Sequence, residues 1–195
     1  MKKLIFATNN QHKVDEIRAA LKSEHGVISL KEAGININIP EPHDTLEDNA
    51  KEKSFTIYRL TGNDCFSEDT GLEVVALNGE PGVKSARYAG DECSFEKNVE
   101  KLLDKMTGVV NREAQFRTVI SLFLDGKEYQ FEGICKGQVT PEKRGSDGFG
   151  YDPVFIPDGG VCTFAEMNIQ EKNKFSHRRK ALDKMIAFLQ PITQP

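Results

Sequence analysis

No disulfide framework or zinc site can be read from the cysteines of this 195-residue chain. There are only four, Cys65, Cys93, Cys135 and Cys162, far apart and without a C-x-x-C pair. Buried free thiols in a reducing compartment are expected instead. Positive charge is not in excess: 26 Lys and Arg against 30 Asp and Glu leave a net charge of -4, which disfavours a general nucleic-acid or anionic-membrane surface. A local basic cleft remains compatible, and any anionic partner should then be small. Long apolar runs are missing too. The opening "MKKLIFA" imitates the start of a signal peptide, but Thr8-Asn9-Asn10 end its apolar run, and no other run reaches membrane-spanning length. A soluble cytoplasmic protein is expected. Repeats, low-complexity tracts and separating linkers are absent, so residues 1–195 read as one domain, long enough to bury about 70% of its unfolded surface. A Walker A loop and a G-x-G-x-x-G fingerprint are also absent, which disfavours the two commonest nucleotide folds.

What is present alternates between strand and helix. Leu4-Ile5-Phe6-Ala7 reads as a strand, "TNN" as a tight polar turn, and Val14, Ile17 and Leu21 as one face of a helix. "GVISL" and "INI" read as short strands, and Leu46, Ala50, Ile57 and Leu60 as a second helical face. "DCFS" is a strand candidate, followed by Glu68-Asp69 at its end and a turn at Thr70-Gly71, where glycine can take a positive φ. "LEVVAL" is β-rich. Val99, Leu102, Leu103 and Met106 form the stripe of a helix with Ser94 as N-cap. Two β-rich runs flank Asp125-Gly126, a pair favoured in a type I′ hairpin turn. The last helix begins near Ser176 and buries Leu182, Met185, Ile186 and Leu189. The fold class is therefore α/β with a mixed sheet, since the hairpin is antiparallel and the opening units are not.

Four polar clusters stand out. Lys13 lies in the first turn of a helix, where the partial positive charge makes a cation mildly unfavourable unless an anion sits beside it. Glu68-Asp69 is either a solvated turn or a place to hold Mg²⁺ and activate water, with Glu41, fixed between Pro40 and Pro42, as a third oxygen ligand. "GSDGFGYDP" presents Phe149 and Tyr151 among glycines, as a stacked base or a hairpin with a core aromatic would require. "EKNKFSHRRKAL" crowds Lys172, Lys174, His177, Arg178 and Arg179 around a second helix start, repeating the Lys13 anomaly.

The segments "ATNNQHKVDEI", "EDNAKEKS", "SEDTGLEVVALNGEPGVKSARYAG", "GFGYDPVF" and "EKNKFSHRRKAL" occur in this order. Together the chain resembles the noncanonical purine nucleoside triphosphate pyrophosphatases, the inosine triphosphate pyrophosphatase family, from about residue 3 to residue 190. Departures are small: the family often has glycine at Asn9, glycine or lysine at His12, and Asp-Asp-Ser-Gly where Glu68-Asp69-Thr70-Gly71 stands.

The resemblance implies an elongated two-lobed α/β structure with a central mixed sheet, helices on its flanks and a nucleotide cleft between the lobes, usually as a homodimer. It implies hydrolysis of inosine, deoxyinosine and xanthosine triphosphates to the monophosphate and pyrophosphate, with Mg²⁺ as cofactor. Carried over by position, Thr8, Asn9, Asn10 and Lys13 form the triphosphate cradle, and Asp69 is the general base. Glu41, Glu68 and Asp69 hold the metal, and Thr70 contacts the substrate. Phe149 stacks on the base, with Gly150, Tyr151 and Asp152 completing that wall; Lys172 reaches phosphate or base, and His177 with Arg178 reads the purine edge. Two rivals remain: a pyrophosphatase for other modified nucleotides, and a nucleotide-binding protein without chemistry.

Overall fold

The computed structural model describes residues 3–21 and 26–190, so Met1 and Lys2 of the signal-like start lie outside it. Strand β1, Lys3–Phe6, alternates its apolar residues between two faces: Leu4 and Phe6 enter one core, Ile5 and Ala7 another. Helix α1, Gln11–Ala20, packs Val14, Ile17 and Ala20 against the first core, and β2, Gly26–Ser29, returns parallel to β1. Helix α2, Leu46–Thr61, starts at the N-cap Thr45 and stops at Gly62, whose left-handed backbone closes the end. Strand β3 is Cys65–Val74, and its first residues lie parallel to β1.

Helix α3 is Phe95–Lys105, followed by β4, Glu113–Leu124, and β5, Lys127–Val139. Asp125 and Gly126 join these strands with φ of 49° and 80°, the doubly positive pair of a type I′ turn. Strand β6, Phe155–Pro157, runs antiparallel to β5; the short helix α4, Ile169–Lys172, and helix α5, His177–Leu189, complete the chain. The six strands form one mixed sheet in the order β2-β1-β3-β4-β5-β6, an α/β fold as expected.

Two compact units share this path. The first comprises Met1–Asp69, Thr118–Gly133 and Arg178–Pro195, the second Thr70–Arg117 and Ile134–His177. In the first, Phe6 and Phe66 stack at 4.5 Å beside Ile17, Ile120, Leu122, Leu182 and Met185. In the second, Leu72, Leu102, Phe116, Phe155 and Phe164 form the core. Each such large side chain contributes about 1.5–3 kcal/mol by leaving water, so each unit has its own hydrophobic support.

Several local expectations are corrected. Glu68-Asp69 does not end a strand: β3 continues through Thr70 and Gly71 to Val74. Gly71 is required for space rather than for a positive φ, because a Cβ there would lie 2.5 Å from the carbonyl oxygen of Gly82. "LEVVAL" is only half strand, since Val75–Leu77 winds into a 3₁₀ turn. "INI" pairs with no strand among the described residues; Ile35 and Ile37 instead pack against the Ile5 core from an irregular segment. Leu60 points outward at the end of α2, and of the four cysteines only Cys65 and Cys135 are buried. Ser94 does cap α3, accepting from the Lys97 amide at 3.3 Å. No helix among the described residues is long and apolar enough to cross a membrane.

Candidate active site

In the first unit the polar turn after β1 organises itself. The Thr8 hydroxyl accepts from the Asn10 amide at 3.1 Å, and the Asn10 side chain caps α1 by accepting from the Lys13 amide at 3.3 Å. Asn9 donates its side-chain amide to the Ile37 carbonyl at 2.8 Å. A groove of about 480 Å³ opens beside Thr8 and Asn9, lined also by Gln11, Ser29, Lys31 and Asn36.

The anion beside Lys13 is Glu68. Its Oε1 lies 3.0 Å from the Lys13 Nζ, and the same carboxylate accepts from Arg178 Nε at 2.6 Å and Nη2 at 2.9 Å. Arg178 also donates to Glu16 on α1. Burial would push the Glu68 carboxyl up, but the adjacent Arg178 and Lys13 charges outweigh it and hold the pKa far below the usual carboxylate range. The same carboxylates keep Arg178 charged although it is buried.

Because β3 is still extended here, Asp69 points to the other side, as residues alternate along a strand. There it meets Lys53, whose Nζ lies 3.0 Å from Asp69 Oδ1 and 2.7 Å from Glu41 Oε1. Burial raises the Asp69 pKa despite Lys53. Burial opposes the charge of Lys53, yet Asp69 and Glu41 prevail and raise its pKa. The segment carrying Glu41 is fixed by more than its prolines: buried Asn49 accepts from the His43 amide and donates to the His43 carbonyl, each at 3.0 Å.

Lys53 was missed by sequence reasoning, though a signal existed. It interrupts the buried stripe Leu46, Ala50, Ser54 and Ile57 of α2, where an unpaired ammonium would be too costly. The three expected metal carboxylates are therefore divided between two separate sets of cations. Glu41 and Asp69 share Lys53, while Glu68 is engaged with Lys13 and Arg178; among the described residues no cluster of three His, Cys, Asp or Glu is arranged around one point.

In the second unit, Gly148, Phe149 and Gly150 form a tight turn with φ of 76° and 63° at the glycines. A Cβ at Gly148 would lie 2.1 Å from Asp152 Oδ2, so glycine is required there. That carboxylate oxygen accepts from the Phe149 amide at 2.9 Å and from Lys172 Nζ at 2.6 Å. The Lys172 ammonium, itself buried, lies 5.3 Å from the centroids of both Phe149 and Phe164. Tyr151 is buried and donates to the Ser85 carbonyl at 3.0 Å, and burial raises its pKa. His177 is buried with its ring stacked on Phe116 at 4.6 Å. Thr70 continues β3 directly after Asp69, partly buried.

The first unit thus gathers Thr8, Asn9, Asn10, Lys13, Glu41, Glu68, Asp69 and Arg178; the second gathers Phe149, Gly150, Tyr151, Asp152 and Lys172, and also contains Thr70 and His177. Comparisons with known proteins place the chain among its relatives. The chain is 48% identical over 187 residues to the dITP/XTP pyrophosphatase of Flavobacterium johnsoniae, covering 96% of this chain and 97% of that one. It is 49% identical over 190 residues to the dITP/XTP pyrophosphatase of Porphyromonas gingivalis, covering 97% and 98%. The solved structure of the Staphylococcus aureus Ham1 protein superposes with a TM-score of 0.88 at 38% identity, covering 98% of this chain and all of the other. The Ham1 family model matches residues 4–188, and the chain belongs to the Ham1 family.

Proposed function

We propose that this protein hydrolyses inosine, deoxyinosine and xanthosine triphosphates to the nucleoside monophosphate and pyrophosphate, removing them from the cytoplasmic nucleotide pool. The observation that carries the chemistry is the convergence of two carboxylates, Glu41 and Asp69, on one buried ammonium, Lys53. Near relatives named dITP/XTP pyrophosphatase support the substrate class.

In this reading, a water oxygen attacks the α-phosphorus, the bond to the bridging oxygen breaks, and pyrophosphate leaves with the bond pair. Asp69 takes the proton from the water; its raised pKa makes it a better base than an exposed aspartate. Lys53 keeps Asp69 oriented and offsets negative charge beside it. Thr8, Asn9, Asn10 and Lys13 take the phosphate chain, with Lys13 exchanging part of its interaction with Glu68 for phosphate oxygens. Phe149 stacks on the base, Gly150, Tyr151 and Asp152 shape its surroundings, and Lys172 lends positive charge to that wall. Thr70 contacts the substrate next to Asp69. His177 and Arg178 donate to the 6-oxo group of the purine, whereas a 6-amino group would set donor against donor.

Glu41 and Asp69 already surround a cation with oxygen donors, and this hard donor set fits Mg²⁺. Glu41 and Asp69 are the residues that would hold it, whereas Glu68, expected from the sequence as a third ligand, faces the other way toward Lys13 and Arg178. The ion when bound supplies charge neutralisation on the triphosphate. A homodimer is the assembly proposed, checked by light scattering on the purified chain.

Pyrophosphate release across a panel of triphosphates tests the whole reading. Inosine and xanthosine triphosphates should react well, ribose and deoxyribose forms should react alike, and adenosine triphosphate should be poorer by about 10⁴–10⁵ in kcat/KM. Guanosine triphosphate should also be poor, its 2-amino group meeting a steric wall or an unmatched donor. Equal rates on all purines, or full activity in excess chelator, would overturn the assignment of base reading or of the metal respectively.

A further inference from the structure

Phe95 opens α3, and the buried stripe of the helix continues from it through Asn98, Val99 and Leu102. Those residues are enclosed, but Phe95 keeps 40% of its surface exposed. Core packing therefore does not account for so large an apolar ring in the first helical turn. One of its aromatic partners is in the glycine loop: the Phe95 and Phe149 centroids are 5.9 Å apart with the rings tilted by 48°. That separation lies where aromatic pairs attract beyond simple burial.

Charge ties the same helix to the same loop region. Lys143 lies 3.6 Å from Glu96 and 3.9 Å from Glu100, and its neighbour Arg144 donates its amide to the Pro153 carbonyl at 2.8 Å. The backbone of Phe149 is fixed through its amide by Asp152, which leaves the ring torsions to be set by what the ring touches. The Lys172 ammonium at 5.3 Å is one such neighbour and Phe95 is another.

We propose that Phe95 is a positioning residue for the purine: it holds the Phe149 ring at its stacking angle and extends the apolar wall that a base meets. This rests on the assignment of Phe149 to the base. A purine, with its wide face, gains most from a wall that does not rotate, whereas the phosphate chain and the bond being broken are untouched by it. The effect should therefore fall on binding rather than on turnover.

The test uses the full chain with inosine triphosphate and four variants: Phe95→Ala, Phe95→Tyr, Phe149→Ala and the Phe95→Ala/Phe149→Ala double variant. Phe95→Ala should raise KM about three- to tenfold with kcat within about twofold, the size expected for one lost aromatic pair. Phe95→Tyr should restore the original KM. In the double variant, loss of Phe95 should add nothing to Phe149→Ala, because the two act as one unit. The proposal is overturned if Phe149→Ala raises KM while Phe95→Ala does not, if the two effects simply multiply, or if Phe95→Ala lowers kcat and thermal stability with KM unchanged. If Phe149→Ala itself leaves KM unaltered, the base-wall assignment fails first and this inference with it.

Discussion

Replacing Lys53 with methionine preserves most of its length and removes its charge. The ammonium has two carboxylate partners, at 2.7 Å and 3.0 Å, and the Lys53 and Asp69 side chains are each only 9% exposed. Breaking a buried ion pair by deleting one partner typically costs about 3–5 kcal/mol, because the other charge stays buried. Glu41 is more accessible, with 23% of its side chain exposed, and can regain water. The lower end, about 3 kcal/mol, is therefore expected for Lys53→Met. The pH dependence has a definite sign. Lys53 has a raised pKa, so its stabilisation is fully present below the ordinary lysine value and is lost only as pH rises through the raised one. In the variant, Asp69 loses the cation that opposes its burial, so its pKa climbs further and the folded state gains protons. The deficit should then be largest at mildly alkaline pH and shrink as the medium is acidified. Urea unfolding of wild type and variant in metal-free buffer, repeated at several pH values, measures this directly. Turnover of inosine triphosphate should fall at least about 100-fold, as for loss of a group that holds a general base. If unfolding changes by less than about 1 kcal/mol at every pH and turnover survives, Lys53 is an incidental neighbour and the proposed chemistry is misplaced.

Asp69→Asn should keep the fold and lower kcat by about 10²–10⁴; a purified variant with near-normal kcat at saturating Mg²⁺ would remove Asp69 from the reaction. For Lys13→Ala, relief of the helix dipole alone would leave stability unchanged or improve it, but Glu68 at 3.0 Å reverses the sign. A loss of about 1–3 kcal/mol with a raised KM is expected, and unfolding experiments showing a gain would refute the pairing. Glu68 has a depressed pKa, so it contributes stability above the ordinary glutamate value that drains away as pH falls through the depressed one. Buried Asp69, shifted upward, contributes in the opposite sense. Unfolding free energy should decline with acidification in wild type, and Glu68→Gln should flatten that decline; equal slopes would contradict it. Arg178→Lys retains charge without the two-pronged contact to Glu68 and should narrow the preference for inosine over adenosine triphosphate, read as the ratio of kcat/KM values.

The elements whose signals are local were legible in the sequence. The stripe of α3, its Ser94 cap and the Asp125-Gly126 turn each depend on residues a few positions apart, and each appears where periodicity and turn chemistry place it. The errors have a common origin in long-range packing. Thr70-Gly71 looks like a turn because glycine usually marks one, yet here the close approach of the Gly82 backbone demands a residue without Cβ inside a strand. "INI" has strand composition but finds no partner strand among the described residues. Lys53 could be noticed as a charge on a buried stripe, but its partners lie 12 and 16 residues away in sequence, where spacing carries no information.

The same distinction governs the site. In the sequence, cations at the starts of two helices are an anomaly that an anion beside them, such as a shared anionic ligand, would relieve. In the folded chain Lys13, at the first of these starts, already has an anion, Glu68, which it shares with Arg178 from the second. A cation paired this way is stable without substrate, so its presence at a helix start does not by itself demand a ligand. What does call for function is the location of the pairs. Seven charged groups, Lys13, Glu16, Glu41, Lys53, Glu68, Asp69 and Arg178, are withdrawn wholly or largely from water in a unit whose apolar core is already extensive. Buried ion pairs contribute little net stability compared with apolar side chains of the same volume, so a fold optimised for stability alone would not keep them there. With every group ionised, four carboxylates and three cations leave one negative charge. On the proposed reading, a divalent cation arriving with a polyanionic substrate would find partners of both signs already in place, and exchange of ion-pair partners, rather than creation of charge in a dry interior, would be the energetic basis of binding.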